Sequence, residues 1–248
     1  MVERRKRFLV FAYHGLSHAD DKYVTTPEMF RRHIAFLLDA GCSFVSMDML
    51  LQWRAGQAEL PKKAVALHFD DARDDIIAHA APLLTSLGIP STIFVVSAWS
   101  AGRLRPQDKD AYSDFLTWRQ LRELHETGLF AIGAHGETHC SLKRAGFRQK
   151  WREIAGSKRE IEDAVGCTVR HLAAPYNRSN LLCRIMARAA GLASLSVGRS
   201  TYNGRSFNPY AVKRYMVTRD WDESSLRERM ARTWPTARLG EQDSPPIS

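Results

Sequence analysis

The chain has 248 residues, 44% of them hydrophobic and 25% charged, with a formal net charge of +9. This composition excludes a disordered, collagen-like or disulfide-dense chain, and the length suffices for one large α/β domain or two small ones. No apolar run approaches the length of a membrane span.

The charge is lopsided. Residues 1–124 carry 16 basic against 15 acidic side chains, and the remainder carries 20 against 12. A basic second half can meet nucleic acid, anionic lipid or an acidic glycan. No zinc-finger, RNA-recognition or basic-zipper pattern accompanies it, so no specific nucleic-acid partner is expected. The simplest reading is a solvated basic face, with peripheral contact with an anionic membrane as a secondary expectation. Arg4 to Arg7 precede an apolar run too short for a signal peptide, and Cys42, Cys140, Cys167 and Cys183 lack a CxxC spacing. Reduced thiols and a cytoplasmic location are the expectation.

Phe8 to Tyr13 reads as a buried strand ending at His14-Gly15. Thr26 caps a helix with Pro27 in its first turn, an apolar face at Phe30, Ile34, Leu37 and Leu38, and Gly41 at its end. Ser43 to Met47 reads as a short strand and Asp48 to Trp53 as a short helix. Val65 to Phe69 is a buried strand that delivers Asp70 and Asp71 to its C-terminal end, where α/β folds build sites. A helical stripe follows (Ile76, Ile77, Ala80, Leu84, Leu87), with a kink expected at Pro82. Ser91 to Val96 is strand-like, and Ser97 to Asp114 reads as a loop.

Thr117 caps the next helix, and Leu129 to Ala134 is a strand running into His135-Gly-Glu-Thr-His139. Phe147 to Val165 reads as a long basic helix with Trp151, Ile154, Ile161 and Val165 inward. Val169 to Ala174 is a strand ending at Pro175-Tyr176-Asn177. Ser179 is the expected cap of a helix whose face is Leu182, Ile185, Met186 and Ala189. Strands at Leu192 to Val197 and Tyr210 to Val217 and a helix at Asp222 to Thr233 complete one domain, residues 1–234. Residues 235–248 read as a loose polar tail. The strand–helix alternation predicts a parallel sheet, as a barrel or doubly wound.

The chemistry falls at strand ends. Adjacent carboxylates repel unless a cation or a proton separates their roles. Asp71, His135 and His139 form a common ligand set for zinc or another first-row divalent ion. With Asp71 as ligand, Asp70 is free to act as general base on a water acidified by the metal. A backbone N–H near Pro175-Tyr176 is a candidate oxyanion donor, and His14 a candidate proton donor to the leaving group. Metal-assisted hydrolysis of an acyl group is the reading. His68 is expected to pack under the barrel, His33 to be partly exposed on its helix, and Asp74 and Asp75 to favour a helix start. Trp99 is the best stacking candidate among the tryptophans, and Cys140 is read as a buried thiol rather than a ligand.

His68-Phe-Asp-Asp71, His135-x3-His139 and Ala174-Pro-Tyr176 together resemble the three ordered motifs of polysaccharide deacetylases, the NodB-homology or carbohydrate esterase 4 group. Ala12-Tyr-His-Gly15 and Val24-Thr-x-Pro27-x-x-Phe30 resemble the subgroup that deacetylates poly-β-1,6-N-acetylglucosamine. The resemblance implies a distorted (β/α)7-type barrel and a divalent metal, usually zinc, held by Asp71, His135 and His139. It also implies Asp70 as base, His14 as acid and an N-acetylated sugar or glycan as substrate. Arg214 matches an arginine late in the domain and is grouped with Pro175 and Tyr176 on the substrate and oxyanion side. The chain departs from the family pattern at His68 (usually Thr), Ala72 (usually Gly), Ala173 (often Arg) and Asn177 (often Gly). A non-sugar amide hydrolase of the same fold, or a non-catalytic glycan binder, are the alternatives.

Overall fold

The computed structural model describes residues 6–106 and 114–235. The expected tail lies outside them from residue 236 on, as does part of the expected Ser97 to Asp114 loop.

The strands in chain order are β1 (Arg7–Tyr13), β2 (Gly15–Leu16), β3 (Val24–Thr25), β4 (Ser43–Phe44), β5 (Ala64–Phe69), β6 (Ser91–Val95), β7 (Phe130–Ala134), β8 (His171–Ala173), β9 (Ser194–Gly198), β10 (Asn203–Gly204) and β11 (Val212–Met216). The α-helices are α1 (Pro27–Asp39), α2 (Met47–Ala55), α3 (Ala81–Ser86), α4 (Ser97–Ser100), α5 (Trp118–Glu126), α6 (Phe147–Trp151), α7 (Ser157–Val165), α8 (Leu181–Ala189) and α9 (Glu223–Thr233). Strands β1, β11, β9, β8, β7, β6 and β5 pair in that order, and β5 pairs back to β1, so seven parallel strands close into a barrel. The expected (β/α)7 barrel is the observed fold.

Strand alternation divides the core. Leu9, Phe11, Val65, Leu67 and Phe69 face the surrounding helices, while Phe8, Val10, Ala64 and Ala66 point the other way and fill one end of the barrel with Trp53, Phe207 and Val212. Higher in the barrel the interior turns polar. His68 packs edge-on against Phe94 at 4.9 Å, the Arg214 guanidinium lies 5.8 Å from the same ring, and His171 bonds Ser194 at 2.9 Å. His68 therefore lies within the barrel rather than under it. Neither of its ring nitrogens has a hydrogen-bond partner among the described residues.

Several local expectations are corrected. Residues 45–47 are not strand, because Ser46 caps α2 by accepting from Met49 N–H. Residues 97–100 form a short helix. The irregularity expected at Pro82 is a π-turn, Ile76–Ala80, just before α3; this register accommodates the proline's missing N–H. Residues 147–165 are helical throughout, but a π-turn at Arg152–Gly156 joins α6 to α7. The extra residue in that turn rotates what precedes it, so Lys150 is buried and Trp151 is 41% exposed. Asn180, not Ser179, caps α8, whose buried face is Cys183, Met186 and Ala187, leaving Ile185 outside. His33 is fully buried: its Nε2–H donates to Trp221 O and its Nδ1 accepts from the Tyr13 hydroxyl, both at 3.1 Å. No helix among the described residues is long and apolar enough to cross a membrane.

Candidate metal centre

The C-terminal strand ends of the barrel bring the expected residues together. Asp70 and Asp71 follow β5, His135 follows β7, Pro175 and Tyr176 follow β8, and His14 follows β1. His14, Tyr23, Asp70, Asp71, His135, His139, Tyr176, Asn177, Arg178 and Met216 line one cavity of about 360 Å³.

Asp71 Oδ1 lies 3.6 Å from His135 Nε2 and 3.5 Å from His139 Nε2. One donor atom from each of the three residues falls within 4.8 Å of the others. His135 Nδ1 is 2.9 Å from Ala173 O; a carbonyl only accepts, so Nδ1 carries the proton and the Nε2 lone pair faces Asp71. Burial lowers the pKa of His135 to about 3 and that of His139 to about 4, which keeps both rings neutral near pH 7. Burial raises Asp71 to about 6 in the metal-free protein, and its Oδ1 is buried with no hydrogen-bond partner. Two neutral imidazoles and an unpartnered carboxylate oxygen aimed at one point fit a divalent cation.

Asp70 differs from its neighbour. Burial alone would raise its pKa, but Arg214, His135 and His14 together bring it well below the ordinary carboxylate range. Arg214 donates from both terminal nitrogens to the two Asp70 oxygens, each at 2.7 Å, and from Nε to Asn177 Oδ1 at 2.9 Å. The arginine is fully buried. It therefore does not face substrate or oxyanion, as its grouping with Pro175 and Tyr176 implied. Its bonds are spent holding the carboxylate. His14 Nε2 stands 3.8 Å from Asp70 Oδ2.

The segment carrying His14 is tied to the aspartate loop. Leu16 N–H donates to Asp75 Oδ2 at 2.8 Å, and Arg73 lies against Gly15 so closely that a Cβ there would sit 2.7 Å from its Cζ. Asp75 thus has a structural task beyond the helix start. Trp99 packs at a tilt against the His139 ring at 5.1 Å and against Phe115 at 4.6 Å, and Tyr176 lies 4.7 Å from His139.

Among the described residues the non-glycine positions with positive φ are Asp71, Ala72, His139, Tyr176 and Asn177, all in the site loops. Such backbone costs an ordinary residue about 1–2 kcal/mol, less for Asp and Asn, and it collects where the surroundings hold functional groups in place. Sequence reading missed the Arg214–Asp70 pair and the carboxylate of Glu153 behind the histidine loop. Nothing in local spacing links residues so far apart.

The family model described as polysaccharide deacetylase matches residues 57–195. The poly-β-1,6-N-acetyl-D-glucosamine N-deacetylase of Escherichia coli K12 is 27% identical over 139 residues, which are 52% of this chain and 20% of that protein. The protein of the same name from Staphylococcus aureus MSSA476 is 25% identical over 239 residues, 90% of this chain and 79% of that one. Among solved structures, a de-N-acetylase from Aggregatibacter actinomycetemcomitans superposes with a TM-score of 0.77 at 21% identity, over 90% of this chain and 99% of that one. IcaB from Ammonifex degensii gives 0.76 at 22% identity, over 91% and 97%. The chain thus spans about a fifth of the first relative and most of the second.

Proposed function

The chain belongs to the polysaccharide deacetylase family, and from that premise we propose that it removes the N-acetyl group of an N-acetylated amino sugar in a glycan. The divalent metal of this reading is zinc, held by Asp71, His135 and His139. The observation that carries it is the meeting of these three donors beside a separate carboxylate, Asp70, and a separate imidazole, His14, in one cavity.

A metal bound there supplies Lewis acidity and lowers the pKa of water toward about 7. The chain's own groups do the rest. Asp70, kept ionised by Arg214, takes the proton of the attacking water. A carboxylate this acidic is a weak base, so it needs a water already acidified. His14 donates a proton to the amine nitrogen as the C–N bond breaks. The backbone N–H of Tyr176 stabilises the developing oxyanion. The exposed rings of Tyr23 and Tyr176 offer apolar faces to a sugar. The names of the relatives favour β-1,6-linked N-acetylglucosamine as the unit recognised.

Metal analysis and an acetate-release assay on N-acetylglucosamine oligomers test the reading. Native protein is expected to hold about one divalent ion, and Asp71→Ala and His139→Ala to lose it. Asp70→Asn is expected to keep the metal and to lose hydrolysis by a factor on the order of a hundred or more. Stoichiometric metal in the first two variants, or an active Asp70→Asn, contradicts the assignment.

A further inference from the structure

Between the two histidines runs a loop, Gly136-Glu137-Thr138, that must hold both rings on one point. Its backbone carbonyls and amides are bound from different sides. Ser97 N–H and Ala98 N–H, from α4, donate to Gly136 O at 3.1 Å and Glu137 O at 3.0 Å. On the other side stands Glu153, 2% exposed. Its Oε2 accepts from Glu137 N–H at 2.7 Å and Thr138 N–H at 3.0 Å, and its Oε1 accepts from the Thr138 hydroxyl at 2.5 Å. Successive backbone N–H groups converging on one anion form a preorganised concavity. The neighbouring Arg152 makes two bonds, 2.5 and 2.7 Å, to the Glu137 carboxylate.

The backbone at both partners is specialised for this contact. Gly136 has φ +86°, and a Cβ there would lie 2.7 Å from Glu153 Oε2. Arg152 and Glu153 open the π-turn Arg152–Gly156, and the turn's register buries Glu153 beneath the loop while Arg152 reaches it from the solvent side. π-turns recur at functional sites because they re-aim side chains a regular helix would misplace. A carboxylate is costly to bury unless fully bonded, and here the bonds run to the segment that carries both histidines.

We propose that Glu153 is a positioning residue for the metal centre: its carboxylate fixes the 136–138 loop so that His135 and His139 point at Asp71. This rests on the metal reading above. It assigns Glu153 no contact with substrate and no proton to transfer. Groups that orient ligands in this way change metal affinity by about 10–100-fold when removed.

The test is zinc affinity of the full chain, by competition with a chromophoric chelator, with folding followed by circular dichroism. Glu153→Gln, which removes the charge and leaves one carbonyl oxygen where two carboxylate oxygens accepted three bonds, is expected to weaken zinc by about 10–100-fold. Thr138→Val, removing one of three bonds, is expected to weaken it by a smaller factor, and it serves where the first variant does not fold. Ser157→Ala loses a hydroxyl bond to the Glu153 carbonyl inside the same π-turn. It is expected to lower Tm without moving zinc affinity. At saturating zinc the Thr138→Val variant should recover most of its kcat. Native-like affinity in Glu153→Gln, or in Thr138→Val if only that variant folds, overturns the positioning role while leaving the metal reading intact. A wild-type chain that binds no zinc overturns both.

Discussion

At Asp70 burial pushes the carboxyl pKa up, and the guanidinium of Arg214, with His135 and His14, pulls it further down. Removing the cation leaves the first force unopposed. Arg214→Gln is therefore expected to raise the Asp70 pKa, so the acid limb of the pH–rate profile moves to higher pH, and to lower kcat/KM by about 100-fold. An unmoved acid limb would dissociate the pair from the base role. The family's departures also make sense at this scale. Asn177 replaces a frequent glycine yet sits at φ 57°, a region asparagine tolerates, and its side-chain oxygen accepts from Arg214. Ala72, at φ 53°, is fully buried, so its methyl contributes packing that offsets some strain. The tandem aspartates and the H-x3-H pair were legible as residues. Arg214 was visible but its partner was not, because 144 positions separate it from Asp70.

Among the elements, helix starts were the most legible feature. Thr26 and Asp222 each accept from a first-turn N–H, and Thr117 with Gln120 forms a reciprocal capping box, whereas the Ser46 cap lay in an expected strand and Asn180 took the place of Ser179. Thr117→Ala is expected to cost about 1 kcal/mol in thermal or denaturant unfolding, with zinc affinity unchanged, since α5 contributes no group to the cavity. Helix interiors were less legible. A period of 3.6 placed Trp151 inward, and the π-turn that turns it outward leaves no mark in apolar spacing. The same turn carries Glu153, so the place where regular periodicity failed is also where the histidine loop is held.

For the whole molecule, burial of imidazoles makes a prediction about acid. His33, His68, His135 and His139 all have pKa values lowered from 6.5, chiefly by burial. The unfolded chain then binds protons first as pH falls, so this stability is complete above about 6.5 and is lost below it. Asp71 acts oppositely in the metal-free protein: raised from 3.8 to about 6, it contributes stability that is lost as pH rises through that window. Burial also raises Asp75, and four imidazoles outweigh these two carboxyls, so Tm of the metal-free chain is expected to fall from pH 7 to pH 5. Each uncompensated group contributes up to about 1.4 kcal/mol per pH unit. A flat Tm over that range contradicts the buried, neutral assignment.

The amino-acid order determined by itself the alternation of strands and helices, the caps, and the residue types at the strand ends, because these rest on neighbours within a few positions. Spacing alone left a barrel and an open sheet equally available; the ordered motifs implied the barrel, and closure came with the pairing of β5 to β1. Only the tertiary structure decided which charges meet. Ion pairing, burial and ligand convergence depend on distance in space, and closing the ring brings together groups that the sequence holds far apart.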